Sequence, residues 1–79
     1  MITVRYFAAA AEAAGVPAET LDVATVGELR AAMLAAHGDG LARVLARCSL
    51  LASGTRVSDD GTVLAEGITV DVLPPFAGG

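Results

Sequence analysis

From Ile2 onward the side chains alternate, with Ile2, Val4 and Tyr6 on one face and Thr3, Arg5 and Phe7 on the other. A period of two over residues 2–8 predicts a half-buried strand. The Ala-rich run from Ala8 to Ala14 then predicts a short helix, stopped by Gly15 and Pro17. Alternation returns at Thr20-Leu21-Asp22-Val23, a second strand expected to pair with the first as a hairpin around the helical insert. The main helix opens at Thr25. Thr25-Val26-Gly27-Glu28 has the form of a capping box, in which the Thr hydroxyl and the Glu carboxylate satisfy free backbone N–H groups. Val26, Leu29, Ala32, Met33 and Ala36 follow at helical spacing as one apolar stripe. His37 and Gly38 supply the C-terminal signals, a residue suited to the helix dipole followed by a glycine. A shorter helical piece is expected from Leu41 to Arg47. Ser49–Ala52 and Arg56-Val57 read as strands turning at Ser53-Gly54, Asp59-Asp60-Gly61 as a turn, and Ile68–Leu73 as the final strand.

This order, two strands, a long helix and then further strands, predicts an α+β domain. In it the helix lies across one face of a mixed sheet of about five strands. The first and last strands are expected to be parallel neighbours at the centre, the ubiquitin-like β-grasp arrangement. Residues 1–73 form the domain and residues 74–79 an extended tail. Strand parity adds a surface. Arg5 sends its face outward, so Phe7 goes with it; Ile68, Val70 and Val72 take the core, so Thr69, Asp71 and Leu73 face out. In parallel strands Phe7 and Leu73 then adjoin beside the root of the tail, a candidate docking patch for a partner.

The 79 residues suffice for one domain. A chain of this size buries only about 60% of its unfolded surface, which leaves little room for an internal active site. Hydrophobic residues make up 54% and aromatics 4%, a core of Val, Leu and Ile with Ala-rich helices. Net charge is -4 with no basic cluster, which argues against nucleic acid as a partner. No apolar run approaches the roughly 20 residues of a membrane span. The sequence opens directly on a strand pattern, and Cys48 is its only cysteine, so an internal disulfide is impossible. A cytoplasmic protein, with no bound cofactor and no metal, is the expectation.

Side-chain chemistry is sparse. His37 fits a structural place at a helix end, Cys48 a small core residue with no activating neighbour, and Asp59-Asp60-Gly61 a plain turn lacking the further acidic positions of a calcium loop. The tail is different. Pro74 and Pro75 donate no N–H and end the strand, stiffening the exit. Phe76, Ala77, Gly78 and Gly79 follow. Six extended residues span up to about 20 Å, enough to thread a partner's cleft. Two glycines without Cβ atoms suit a narrow channel in which the Gly79 carboxylate is attacked.

Val4-Arg5-Tyr6-Phe7-Ala8 with Glu12, Thr25-Val26-Gly27-Glu28-Leu29-Arg30, Ser53-Gly54 before Val57, and above all Asp71-Val72-Leu73-Pro74-Pro75-Phe76-Ala77-Gly78-Gly79 resemble the MoaD/ThiS family of sulfur carriers. Within it the likeness is greatest to the small subunits of molybdopterin synthases. The chain departs from the family pattern at Ala11 and Ala65, where basic residues are common, and at Ile68, where an acidic one is. The resemblance implies a non-catalytic sulfur donor. A ubiquitin-activating-like adenylyltransferase would use ATP to adenylate the Gly79 carboxylate, and sulfur would replace AMP to leave a thiocarboxylate. The carrier would then dock on the large synthase subunit, as a heterotetramer, and donate sulfur to a cyclic pyranopterin phosphate. Pro75, Phe76, Ala77, Gly78 and Gly79 would enter the large subunit's active site, and its residues would do the acid–base chemistry. Carriers for thiamin, cysteine or tRNA thiolation, and ubiquitin-like modifiers of protein lysines, are the alternatives.

Overall fold

The computed structural model describes residues 1–75. Strand β1 (Ile2–Tyr6) leads through α1 (Ala9–Ala14) to β2 (Ala18–Leu21), and α2 (Val26–Leu45) follows. Then come β3 (Ser49–Ala52), β4 (Thr55–Val57) and β5 (Thr69–Leu73). The five strands form one sheet in the order β2-β1-β5-β3-β4, with β1 and β5 parallel and the other pairs antiparallel. The core lies between one sheet face and the helices. Ile2, Val4, Tyr6, Leu50, Val70 and Val72 meet Val26, Leu29, Met33, Leu41 and Leu45 there, all buried. The fold is the expected ubiquitin-like β-grasp, with β5 flanked by β1 and β3.

Local chemistry accounts for the element ends. Gly15 closes α1 in the left-handed conformation (φ 79°), its N–H donating to the Ala11 carbonyl. Thr25 caps α2, its Oγ1 accepting from the Glu28 N–H at 3.2 Å. The return arm of the capping box is displaced: Glu28 Oε1 accepts from Ala24 N–H at 2.8 Å, one residue before the cap. The next two free N–H groups of α2 are satisfied by the 58–62 loop, Val26 donating to Thr62 O at 3.0 Å and Gly27 to Asp60 O at 2.9 Å. Gly27 suits that approach, since a Cβ there would stand 3.1 Å from the Asp60 Cβ and the loop would have to give way.

Five expectations are corrected. The second strand is Ala18–Leu21, not 20–23, because Leu21 already pairs with Ile2 at the start of β1 and later residues have no partner. The first strand stops at Tyr6. The last begins at Thr69, since the Ile68 N–H turns back to the Ala65 carbonyl. Ala36 is exposed; after Met33 the inward position falls to His37, which is half-buried. Gly38 (φ 74°, ψ −157°) does interrupt the helix where the sequence marks an end, and the chain resumes helical geometry at once, so that α2 continues to Leu45 rather than Arg47.

Candidate functional site

The root of the tail sits at the middle of the sheet. Strand β5 is hydrogen-bonded on both sides, with Tyr6 opposite Val72 on β1 and Ser49 opposite Leu73 on β3. Beyond Leu73 the two prolines cannot donate to either neighbour, so pairing ends there. Pro74 is half-buried and Pro75 exposed. Phe76, Ala77, Gly78 and Gly79, the expected reacting segment, lie outside the described residues.

On the outer sheet face Phe7 and Leu73 fall side by side, as strand parity predicts. Phe7 N–H donates to the Val72 carbonyl at 3.2 Å, and the register Tyr6 to Val72 sets Phe7 level with Leu73. Phe7 is 37% exposed and Leu73 half-buried. One step back along both strands, Arg5 makes a bidentate pair with Asp71: Nε donates to Oδ1 at 2.6 Å and Nη2 to Oδ2 at 2.9 Å. The same guanidinium stands 5.6 Å from the centre of the Phe7 ring, within cation–π range. The pair thus holds a planar cation beside the ring at the edge of the patch. Leu51 of β3, opposite Asp71, lies on this face too and was not among the sequence-derived candidates. Its signal was parity, since Leu50 is buried and its neighbour must face the other way.

The turn from β1 into α1 is made by Ala8, the N-cap of α1, at φ 50° and ψ −124°. A residue with a Cβ is strained there. The bend lets Phe7 stay on the outer face while Ala10, three residues later, is buried in the core. On the helix side of the tail root a groove of about 410 Å³ opens between Ala9, Arg43, Val44, Arg47, Pro74 and Pro75.

The other chemically tempting residues are structural. Glu19 Oε2 accepts from the Tyr6 hydroxyl at 2.5 Å and from His37 Nε2–H at 2.5 Å. The Tyr6 and His37 rings meet edge to face, 5.8 Å apart. Partial burial pushes the Glu19 carboxyl up, but the hydrogen bonds from Tyr6 and His37, with the charge interaction of the imidazole, outweigh it and hold it below its ordinary value. Burial first, then the hydrogen bond to Glu19, pushes the Tyr6 phenol well above its ordinary value. His37 is therefore part of a clasp joining β1, β2 and α2. Cys48 Sγ donates to the Val44 carbonyl at 3.2 Å, and burial raises its pKa, which keeps the sulfur a thiol rather than a nucleophilic thiolate. Asp59 Oδ1 accepts from Gly61 N–H at 2.8 Å, closing the plain turn. Among the described residues no three or more metal-ligating side chains converge, and no helix is long and apolar enough to cross a membrane.

Comparisons with known proteins agree with this geometry. No curated protein matches the sequence. Among solved structures, SAMP1 of Haloferax volcanii is 30% identical with a TM-score of 0.84, covering 99% of this chain and 98% of its own. A Pyrococcus furiosus protein named as molybdopterin converting factor subunit 1 is 26% identical with a TM-score of 0.83, covering 95% and 97%. A chain from the Helicobacter pylori complex of subunits 1 and 2 of molybdopterin-converting factor shares the fold at 24% identity and a TM-score of 0.76, covering 99% and 97%. The ThiS family profile matches residues 4–79, tail included. On that match, and on a sheet that launches the tail from its middle strand, the chain belongs to the ThiS family.

Proposed function

We propose that this chain is the sulfur-carrying subunit of a molybdopterin synthase, with Gly79 as the site of loading. The observation that carries the proposal is the exit of Pro74-Pro75 from the doubly paired strand β5, beside an exposed Phe7 and a half-buried Leu73. A folded body that presents a glycine-ended tail next to an apolar patch suits delivery into another protein's cleft, where positioning is the carrier's whole contribution. Adenylation joins a Gly79 carboxylate oxygen to the α-phosphorus of ATP and expels pyrophosphate. A sulfur nucleophile then attacks the acyl carbon and expels AMP, and the thiocarboxylate that results is the donor. Phe7 and Leu73 dock on the large subunit, while Pro75 to Gly79 enter its active site. The pairing of subunits 1 and 2 in the Helicobacter pylori complex supports such an arrangement.

A second reading is favoured by the likeness to SAMP1, named elsewhere among the solved structures as a small archaeal modifier protein. In that reading the activated Gly79 acylates lysines of other proteins. All five basic residues of this chain are arginines, so it offers no lysine side chain for self-linked chains, and a modifier would add singly. Intact-mass measurement separates the two. After incubation with the adenylyltransferase, ATP and a sulfur donor, the carrier reading expects a free protein heavier by the exchange of one oxygen for sulfur. Deleting Gly79 should abolish that gain without altering the fold. Normal sulfur loading of the Gly79-deleted protein, or conjugates in place of the thiocarboxylate, would overturn it.

A further inference from the structure

The groove at the helix side of the tail root is not used by the sulfur chemistry. Among the described residues its only charged lining is Arg43, in the last turn of α2, and Arg47, one turn further on. The protein carries nine Asp and Glu side chains against five arginines, yet none of the nine lines this groove. Arg5 is paired with Asp71 and Arg30 with Asp60, whereas Arg43 and Arg47 make no ion pair among the described residues. The helix C-terminus favours cations, which explains why arginines are stable here. It does not explain a basic cleft with an apolar floor of Ala9, Val44, Pro74 and Pro75 at the one place where the tail leaves the body.

We propose that this groove docks a carboxylate-bearing segment of the protein that takes up the tail. The inference rests on the reading that the tail enters a partner's cleft. A cleft that receives the tail has a rim on both sides of its root. Phe7 and Leu73 meet that rim across the sheet; Arg43 and Arg47 meet it across the helix. Two planar guanidiniums one helical turn apart suit two carboxylates on an extended or helical segment, each accepting a forked pair of hydrogen bonds. In a chain of net charge -4, two neighbouring arginines at the tail root also orient an acidic rim before contact.

The test is an NMR titration of the ¹⁵N-labelled full chain with a hexaglutamate peptide, following the arginine Nε–H signals. Saturable shifts are expected at Arg43, Arg47 and the Ala9 and Val44 amides, with no movement at the paired Arg5 and Arg30. Arg43→Gln with Arg47→Gln should weaken the peptide by at least about tenfold, and the Lys pair by less. Arg56→Gln should leave affinity unchanged, and thermal unfolding of each variant confirms the fold. The proposal is overturned if no saturable shift occurs, if Arg56→Gln weakens the peptide equally, or if inorganic phosphate saturates the same signals at equal or lower concentration. Because no sulfur chemistry enters the titration, peptide binding by a chain that never acquires sulfur would refute the carrier reading alone.

Discussion

Strands β1 and β5 show their inner face to the core and their outer face to solvent, and the two are built on opposite terms. Inside, Ile2, Val4, Val70 and Val72 are wholly buried and Tyr6 nearly so. Outside, Thr3, Arg5, Thr69 and Asp71 give way to Phe7 and Leu73 only at the tail end. Apolar residues fill the inner face along its whole length because a core has no tolerance for gaps. On the outer face of these two strands they are confined to the last rung, fenced by the Arg5–Asp71 pair. The face and the position of a hydrophobic residue along the strand, and not its type, therefore separate core packing from exposure.

The sharpest way to break that distinction is to place the same charge on adjacent residues of β5. Val72→Asp buries a carboxylate with no partner and should cost at least about 4 kcal/mol or prevent folding altogether. Leu73→Asp should cost less than about 1 kcal/mol of stability, yet weaken binding to the large synthase subunit by about 2 kcal/mol. Urea unfolding paired with a binding titration gives both numbers. Equal losses of stability would mean that the outer rung belongs to the core.

The inner face ends in the Tyr6–Glu19–His37 clasp, and its pH dependence sharpens the comparison further. The folded state holds the Glu19 carboxyl below its ordinary value, so its contribution is full above the unfolded pKa and lost as pH falls through the lowered folded value. Glu19→Gln should destabilise by about 1 to 2 kcal/mol at pH about 6, and the difference from wild type should shrink towards pH about 3. A constant difference across that range would remove the charged clasp from the account.

Smaller effects are expected where the two faces join. Ala8→Gly relieves the positive φ and should stabilise by about 1 kcal/mol, read as a raised Tm, while leaving Phe7 in place. Cys48→Ala should cost about 1 kcal/mol or less and leave sulfur loading of the chain intact. Loss of loading in a folded Cys48→Ala protein would move the sulfur site off the tail.

Much of the fold was legible because its signals are local. Alternation at Ile2, Val4 and Tyr6 marks the inner face, and Thr25 with Glu28 marks the start of α2. Ser53 (φ 49°) and Gly54 (φ 83°) turn the β3–β4 hairpin where the sequence placed it. What was not legible depends on residues far apart in the chain. The end of β2 is fixed by where β1 begins, Leu21 pairing with Ile2, not by its own alternation. Glu19 looks like any strand carboxylate until the fold brings it between Tyr6 and His37. The groove of Arg43 and Arg47 exists only once α2 lies beside Pro74 and Pro75. For the candidate site the balance is reversed, since Phe76 to Gly79 are carried by the sequence while the structure supplies their mount.

That mount has a mechanical side. The last strand before the tail runs parallel to β1 and is also bonded to β3, so tension applied through the tail acts along the strand axis. Every rung of both ladders then bears load together, in shear, and none can be peeled singly from an edge. A partner that grips the tail and pulls towards its own active site meets the strongest direction of the sheet. A chain loaded in this way resists unravelling from its tail end.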